Sequence, residues 1–494
     1  MTTNVHRTPR PRPIGILAVS LLLAAGSFVV GPSRLGDRTA APASWDAARP
    51  PTRAPAGPSA GAGFVPAPGE GPVHLPSTGS LAQIDHNIGA WTKNLQANSK
   101  DFLSATNLAM LYQARARLTA DLADHERALG AARTAIAIAP TEPAARALEA
   151  SILFSLHQFR AAFAAADALW RDDSSQLGAL ATRADAELEL GDLDAAGRDL
   201  ATLKTRAPGP AVDVRLARLA AVSGDLDGAV ALARRARDAA GSGVPDAAFY
   251  AFALGEYARL AGDVRLAREG YETALASRAA DLGALLGLAR IEAYAGDLED
   301  AIATLETAVG AAPTPEAEAL LGDLLATRAA DRDRSERDRS LDSAAADVAF
   351  GTVRLTRTLS ALAGSVYDRQ LLLFDLDHGP VDIGLIDAAR ASFADRPDSA
   401  GRDLVAWALH RLGRDREAWS ESMAVRAAGA ADARTLFHAG AIAAALGDAA
   451  APELLGRALA LGPALDPAER AEAASILAGL GAPGTQPDHV PPRR

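Results

Sequence analysis

The stretch Leu254–Leu275, with the sequence LGEYARLAGDVRLAREGYETAL, predicts two short helices joined by a tight turn. Apolar or small side chains recur at intervals of three and four residues on both sides of Gly262-Asp263, which places one stripe on each helix. Glycine adopts the left-handed conformation that ends a helix, and aspartate is a good N-cap for the next one. A small residue at Gly255 lets the two helices approach closely, with Tyr271 filling the space between them.

The same turn recurs along the neighbouring sequence. Equivalent turns are found at Gly191-Asp192-Leu193, Gly224-Asp225-Leu226, Gly262-Asp263-Val264 and Gly296-Asp297-Leu298. Their spacing is near the 34-residue period of a known helical repeat. A small residue follows each turn at a fixed offset, at Ala196, Ala229, Ala267 and Ala301. Pro208 and Pro313 then end the second helix of a pair, because proline cannot continue a helix.

This set of residues resembles the tetratricopeptide repeat (TPR) family over about residues 180–313. The resemblance implies an all-α fold, a TPR-type α-solenoid in which antiparallel helix pairs form a right-handed superhelix. Further copies nearer the N-terminus bring the number of candidate repeats between residues 101 and 313 to six. We expect an enlarged turn over about Thr119–His125 in the first copy. In the second copy His157-Gln158-Phe159 replaces Gly-Asp-Leu, and the sequence leaves its turn geometry open.

Composition divides the chain into six segments. We expect residues 1–31 to be a signal anchor or transmembrane segment, 32–80 a disordered linker rich in Pro, Ala and Gly, 81–328 an N-terminal TPR array, 329–400 an irregular helical region with a charged segment, 401–481 the C-terminal TPR pairs and a capping helix, and 482–494 a disordered tail. Stacked repeats need a terminal cap, since the last pair would otherwise expose its apolar face. For the charged stretch 330–343 a solvated helix or loop is favoured over a docking segment.

The N-terminus indicates membrane targeting. Arg7, Arg10 and Arg12 precede an apolar run from Ile14 to Val30. A positive flank favours an N-terminus in the cytoplasm and the rest of the chain outside it. We therefore expect a membrane-anchored protein whose bulk is extracytoplasmic. A secreted protein with a cleaved signal and a cytoplasmic protein are the alternatives.

Composition and missing motifs exclude several classes of function. The net charge of −11 argues against nucleic acid as a partner, and the absence of cysteine excludes disulfides, thiolate zinc sites and cysteine nucleophiles. Phosphate-binding, serine-hydrolase and zinc-protease motifs are missing. We expect no enzyme activity, no cofactor and no metal.

One alternative places an enzyme-accessory or metal-dependent activity in residues 330–400. Asp375, Asp377 and His378 in FDLDHG are its candidate ligands, although a helix cap with solvated carboxylates is favoured. His410 and His438, near Trp407 and Phe437, are expected to be packed or to face a groove.

In TPR arrays the first helix of each repeat lines a concave groove, and the resemblance implies such a groove here. The corresponding positions are Asp185, Arg218, Phe249, Phe252, Glu256, Leu286 and Arg290. A surface of mixed charge with apolar patches suits an extended or helical peptide. The Lys and Asn pattern that clamps a C-terminal carboxylate in some TPR domains is absent.

These observations predict a non-enzymatic protein–protein interaction scaffold, displayed outside the cytoplasmic membrane, that binds a protein or peptide in its groove. A cytoplasmic TPR regulator is a further alternative. The sequence leaves the partner, the pathway and the oligomeric state open.

Overall fold

The computed structural model describes residues 81–119, 121–241, 247–362 and 369–481. These residues contain twenty-two α-helices, one short 3-10 turn and no β-strand. The predicted anchor (1–31), linker (32–80) and tail (482–494) lie outside the described residues. None of the described helices is both long enough and apolar enough to cross a membrane.

The helices are numbered in chain order. They are α1 Leu81–Ala97, α2 Phe102–Thr119, α3 Leu122–Ile138, α4 Pro143–Ser155, α5 Phe159–Asp172, α6 Leu177–Glu189, α7 Leu193–Arg206, α8 Pro210–Val222, α9 Leu226–Ala240, α10 Ala247–Leu260, α11 Val264–Ser277, α12 Leu282–Ala295, α13 Leu298–Ala311, α14 Pro315–Ala329, α15 Glu336–Leu362, α16 Arg369–His378, α17 Ile383–Asp395, α18 Ser399–Arg411, α19 Asp415–Ala427, α20 Ala433–Ala445, α21 Ala451–Ala460 and α22 Pro467–Leu480, with the 3-10 turn Gly462–Ala464 before α22.

Consecutive helices pack as hairpins, each pair against the next. The six pairs expected between 101 and 313 are present as α2/α3 through α12/α13, and later pairs are α14/α15, α18/α19 and α20/α21. Each pair buries small side chains at the crossing, which explains why alanine dominates the core. The prediction of an all-α, TPR-type solenoid is confirmed.

The turn between α10 and α11 has the predicted construction. Gly262 is in the left-handed region with φ of +81°, and the Asp263 carboxylate accepts a 3.0 Å hydrogen bond from the Leu266 amide. Across the crossing, a Cβ on Gly270 would lie 2.6 Å from the Gly255 amide nitrogen. Tyr271 is fully buried beside this contact. Glycine at the crossing therefore sets the distance between the two helices.

The α4/α5 turn, whose geometry the sequence left open, and the α2/α3 turn, for which an enlarged loop was predicted, are both short. His157 has φ of +57°, so the α4/α5 turn keeps the left-handed geometry that glycine supplies elsewhere. The enlarged turn predicted after α2 is wrong, because α3 already begins at Leu122. Asp121 caps this helix by accepting a 3.0 Å hydrogen bond from the Ala123 amide.

The region 329–400 contains three helices, of which α15 is the longest described, with 27 residues. Arg328 on α14 donates a 2.7 Å hydrogen bond to Asp342 on α15. Arg334, in the loop between them, lies 3.4 Å from both Asp342 and Glu299. The charged segment 330–343 thus begins in a loop, whose Arg334 joins neighbouring pairs, and continues into α15. Leu372 on α16 is fully buried.

Candidate functional site

Turns of the first half of the solenoid rest against loops of the second half. A Cβ on Gly191 would lie 2.8 Å from the Pro397 carbonyl oxygen, and one on Gly224 would lie 2.8 Å from the Gly429 carbonyl oxygen. The Gly262 turn meets Leu461 in the same way. Successive turns of the first half therefore meet successive loops of the second half. The solenoid has completed one superhelical turn, and the next turn closes against it.

Arginine side chains join the two superhelical turns near the contact between Gly191 and Pro397. Arg160 on α5 donates hydrogen bonds of 2.9 and 3.0 Å to the carbonyl oxygens of Ala394 and Asp395 at the end of α17. Arg396 donates to the Glu189 carbonyl oxygen at 3.2 Å, 207 positions away, and also pairs with the Glu189 carboxylate. Glu189 is fully buried. Its carbonyl oxygen is bound by Arg396, and its carboxylate is bound by Arg396 and Arg218.

A second set of contacts surrounds the segment before α22. Arg259 on α10 donates a 3.0 Å hydrogen bond to the Pro463 carbonyl oxygen, 204 positions away. Its guanidinium also pairs with Glu256 at 3.0 Å, and the Tyr271 hydroxyl donates to the same carboxylate. The 3-10 turn and the N-terminus of α22 thus lie on the face formed by the first helices of the repeats.

Arg290 on α12 is the centre of this cluster. It donates to Asp466 at 2.6 Å and to Glu316 on α14 at 2.8 Å. Asp466 also accepts from Arg434 on α20 at 3.1 Å, and Arg434 donates to Glu469 at 2.5 Å. Two arginines and three carboxylates from four helices therefore meet where the two turns close. We call the contacts Arg259–Pro463 and Arg290–Asp466 the inter-turn latch.

Burial and charge together shape the acid–base properties of this region. Burial alone would raise the pKa of Asp466, but Arg290 and Arg434 hold it well below its usual range. Burial, together with the negative charges of Asp466, Asp377 and Glu469, raises the pKa of Asp323 to about 8. The latch carboxylate is therefore ionised at neutral pH, while its neighbour Asp323 keeps its proton.

The predicted groove residues divide into two sets. Phe249, Phe252 and Leu286 are buried in the helical core, with exposed fractions below a tenth. The polar residues are ion-paired within the chain: Asp185 with Arg215 at 2.9 Å, Arg218 with Glu189, Glu256 with Arg259, and Arg290 with Asp466 and Glu316. The structure brings Glu256 and Arg290 into one cluster and leaves Asp185 and Arg218 near the Glu189 contacts.

The three residues of the metal hypothesis point to separate partners. Asp375 pairs with Arg357 at 3.0 Å, and Asp377 accepts a 3.0 Å hydrogen bond from the Trp407 indole. His378 lies between Phe350 and Phe374, with each ring centre 4.7 Å away. In the part of the chain that the structure describes, no group of three or more His, Asp or Glu is arranged to hold a metal ion.

His410 and His438, the histidines of the C-terminal helix pairs, are both packed. His438 stacks on Trp407 at 4.1 Å, and its Nδ1 lies 2.7 Å from Asp403. Burial would lower the His438 pKa, but the Asp403 charge and hydrogen bond raise it. His410 is bound through Nδ1 to Asp415 at 2.6 Å. The Trp407–His438–Asp403 stack therefore serves the C-terminal core.

Sequence reasoning missed Arg259, Arg396, Arg434 and Asp466 as residues of the site. Asp466 is the N-cap of α22, the helix at the position of the predicted capping helix. The contacts that bring these residues together across the solenoid join residues 32 to 207 positions apart in the chain, so no local spacing could reveal them. The one available signal was the low content of lysine, which leaves arginine as nearly the whole cation content. Arginine is the residue that suits buried, forked ion pairs.

Comparisons with known proteins concern the fold. No family model and no curated protein matches the chain. A solved tetratricopeptide repeat protein from Parabacteroides merdae is 12% identical, with a TM-score of 0.39, over 54% of this chain and 93% of that chain. Human IFIT1, as a dimer with m7Gppp-AAAA, is 13% identical, with a TM-score of 0.43, over 71% of this chain and 78% of that chain. Its dimer with PPP-AAAA is 14% identical, with a TM-score of 0.41, over 71% and 79%. These structural neighbours are TPR repeat proteins, and the chain is similar to them in its all-α solenoid of helix pairs.

Proposed function

We propose that this chain is a non-catalytic protein-interaction scaffold whose binding surface is the first-helix face of its repeats, and that its own segment 461–466 occupies that face when no partner is bound. The observation that supports this is the inter-turn latch. Arg259 binds a backbone carbonyl oxygen of a short non-helical segment, and Arg290 binds a carboxylate of the same segment. Carbonyl oxygens and carboxylates are what an incoming peptide would offer to these arginines.

Residues 461–466 compete with a partner for the first-helix face. A partner that needs Arg259 and Arg290 must displace residues 461–466. Its apparent affinity is therefore reduced in proportion to the fraction of molecules in which this segment has left the face. The expected partner is a peptide segment with at least one acidic side chain. Apolar anchors of a partner would have to find other surfaces, since Phe249, Phe252 and Leu286 are already covered.

The test is in-cell crosslinking of the tagged full chain, followed by mass spectrometry of the captured proteins. Three forms are compared: the natural chain, the double variant Arg259→Gln/Arg290→Gln, and Asp466→Asn. The double variant removes the donors of the binding face, whereas Asp466→Asn weakens the latch and leaves those donors in place. We expect capture of a defined partner to fall in the first variant and to rise in the second.

Circular dichroism and thermal unfolding of each variant separate loss of binding from loss of fold. Equal capture by all three folded forms would show that the first-helix face is not the binding surface. Attention would then move to the region 329–400, where the alternative of an enzyme accessory places its activity.

We also propose that Ile14–Val30 anchors the chain in the cytoplasmic membrane with the repeats outside. The support is the sequence alone, in the arginines before the apolar run. Protease added to intact cells should then digest the repeats, and the N-terminal sequence of the membrane-bound protein should be uncleaved. Protection of the repeats would overturn this location, and a mature N-terminus near Ser44 would indicate a cleaved signal instead.

A further inference from the structure

The long helix α15 has a second apolar face that the described chain leaves uncovered. Leu341, Val348 and Leu355 are spaced by seven residues and are 59%, 70% and 58% exposed, and Leu359 is 37% exposed. Ala345 and Thr352 fall between them, which completes the alternation of four and three residues typical of a coiled-coil seam. Scattered exposed leucines are common on protein surfaces, but a row of this regularity on one helix is not.

A neighbouring face of α15, about 100° around the helix from this row, carries the packing that holds the helix in the solenoid. Ala346, Ala349 and Val353 are buried, with exposed fractions of at most 3%, and Val353 packs with Leu371 and Phe374 of α16. The exposed row therefore lies outside the core of its own repeat. We call Leu341, Ala345, Val348, Thr352, Leu355 and Leu359 the α15 stripe.

We propose that the α15 stripe is a self-association surface, on which a second copy of this chain docks its own stripe in antiparallel orientation. Antiparallel pairing centred at position 350 forms three kinds of layer. Leu341 meets Leu359 of the second copy, Ala345 meets Leu355, and Val348 meets Thr352. Each layer occurs twice because the pair is two-fold symmetric, so one patch is complementary to itself.

The size and charge of the stripe favour this occupant. The stripe itself carries no charged residue, so a second copy buries no unpaired charge there. Exposed Asp347 and Arg354 lie on one side of the stripe, beyond Ala344 and Gly351. Antiparallel pairing brings Asp347 to the level of the second copy's Arg354, whereas parallel pairing would bring like charges to the same level. Ala344 and Gly351, exposed beside the stripe, allow close approach of the helices.

The area of the stripe sets the expected strength. From Leu341 to Leu359 the helix rises about 27 Å, and a helix is about 10 Å wide. The footprint of roughly 300 Å² for each copy is below the ~800 Å² per partner of a standard stable interface. The pair should therefore be a weak dimer whose population depends on concentration. Confinement of both copies to one membrane or complex would strengthen it.

The absence of cysteine from the chain makes a direct test simple. Full-length Leu341→Cys and Leu359→Cys chains are treated with a short bismaleimide, separately and mixed. The mixture should give several-fold more crosslinked dimer than either chain alone, because antiparallel pairing joins 341 to 359 and keeps 341 far from 341. The Glu453→Cys chain, whose cysteine is exposed on α21, gives the background of crosslinks formed by random collision.

A second measurement covers self-association by other parts of the chain. Sedimentation of full-length Val348→Glu should show less dimer than the natural chain at equal concentration. Ser343→Glu adds the same charge at an exposed position of α15 outside the stripe and should leave the dimer unchanged.

Three results would overturn the proposal. Crosslinking of Leu341→Cys alone that equals the mixture would indicate a parallel or unspecific contact. A mixture that crosslinks no more than Glu453→Cys would show that the stripes do not meet. Sedimentation of Val348→Glu that is identical to the natural chain would show that any dimer forms elsewhere.

Discussion

Arg290 on α12 donates a 2.6 Å hydrogen bond to Asp466 at the start of α22, 176 positions later in the chain. The side chain that the repeat pattern places in a partner-binding groove is therefore already bound by the chain itself. Asp466 also accepts from Arg434, so one carboxylate holds an arginine from each turn of the solenoid. The Arg290–Asp466 contact closes the groove that the repeat pattern predicts to be open. Its contribution to the free energy of unfolding can be measured.

Removal of the Asp466 charge should loosen this closure. Asp466→Asn keeps a good N-cap residue for α22 but leaves Arg290 and Arg434 with a weaker partner. We expect the unfolding free energy to fall by about 1–3 kcal/mol, because loss of one member of an enclosed ion pair strands the other. Urea unfolding of the full chain measures this. Asp225→Asn, at the exposed cap of α9, should change stability little, and equal losses in both variants would contradict the latch.

Gly224 should be more sensitive to substitution than Gly413, although both have positive φ. Alanine in the left-handed region costs about 1–2 kcal/mol at either position. At Gly224 the added Cβ would also lie 2.8 Å from the Gly429 carbonyl oxygen, whereas no atom lies within 4 Å at Gly413. We expect Gly224→Ala to lose more stability and to increase the radius of gyration measured by small-angle scattering. Equal behaviour of the two variants would show that the turns do not touch in solution.

Gly287 on α12 should tolerate no side chain. A Cβ there would lie 2.2 Å from the Tyr271 ring, which is fully buried. Gly287→Ala should therefore destabilise the protein by about 1–3 kcal/mol through overpacking. Gly130 is an exposed glycine in α3 with nothing within 4 Å of its Cβ position. Gly130→Ala should stabilise by about 0.5–1 kcal/mol, so thermal unfolding of the pair should show opposite signs.

Stability should fall as the pH rises towards 8. Burial, with a contribution from Asp199, raises the pKa of Glu187 to about 8, and its Oε2 has no hydrogen-bond partner among the described residues. A carboxyl with a raised pKa binds more protons folded than unfolded between about pH 4.5 and 8. The unfolding free energy therefore decreases with pH over that window and levels off above it.

Replacement of the carboxyl by an amide separates this effect from other titrations. Glu187→Gln should flatten the pH dependence and exceed the natural chain in stability by about 1–3 kcal/mol at pH 8.5. Asp323→Asn should act in the same direction, because the pKa of Asp323 is also raised to about 8. Glu453→Gln, on the exposed face of α21, is the control. Unfolding curves at pH 5.5, 7 and 8.5 that keep the natural slope in Glu187→Gln would refute the assignment.

The sequence by itself determined the repeat unit, because the forces that form it act within one helix pair. Gly262 ends α10, Asp263 starts α11, and the small residues at the crossing are all within about twenty positions of one another. The same local chemistry predicted six pairs and the capping position of α22. It failed after α2, where Asp121 starts a helix earlier than the apolar pattern suggested.

Only the tertiary structure decided that the first-helix face contacts the chain's own segment 461–466. Small rotations from one repeat to the next add up over about six pairs, and their sum brings Gly191 to Pro397 and Arg290 to Asp466. No spacing in the sequence encodes that sum, because each contact joins residues 176 or more positions apart. For the same reason α15 reads as an irregular charged helix in the sequence, and only the packed structure shows that one of its two apolar faces remains uncovered.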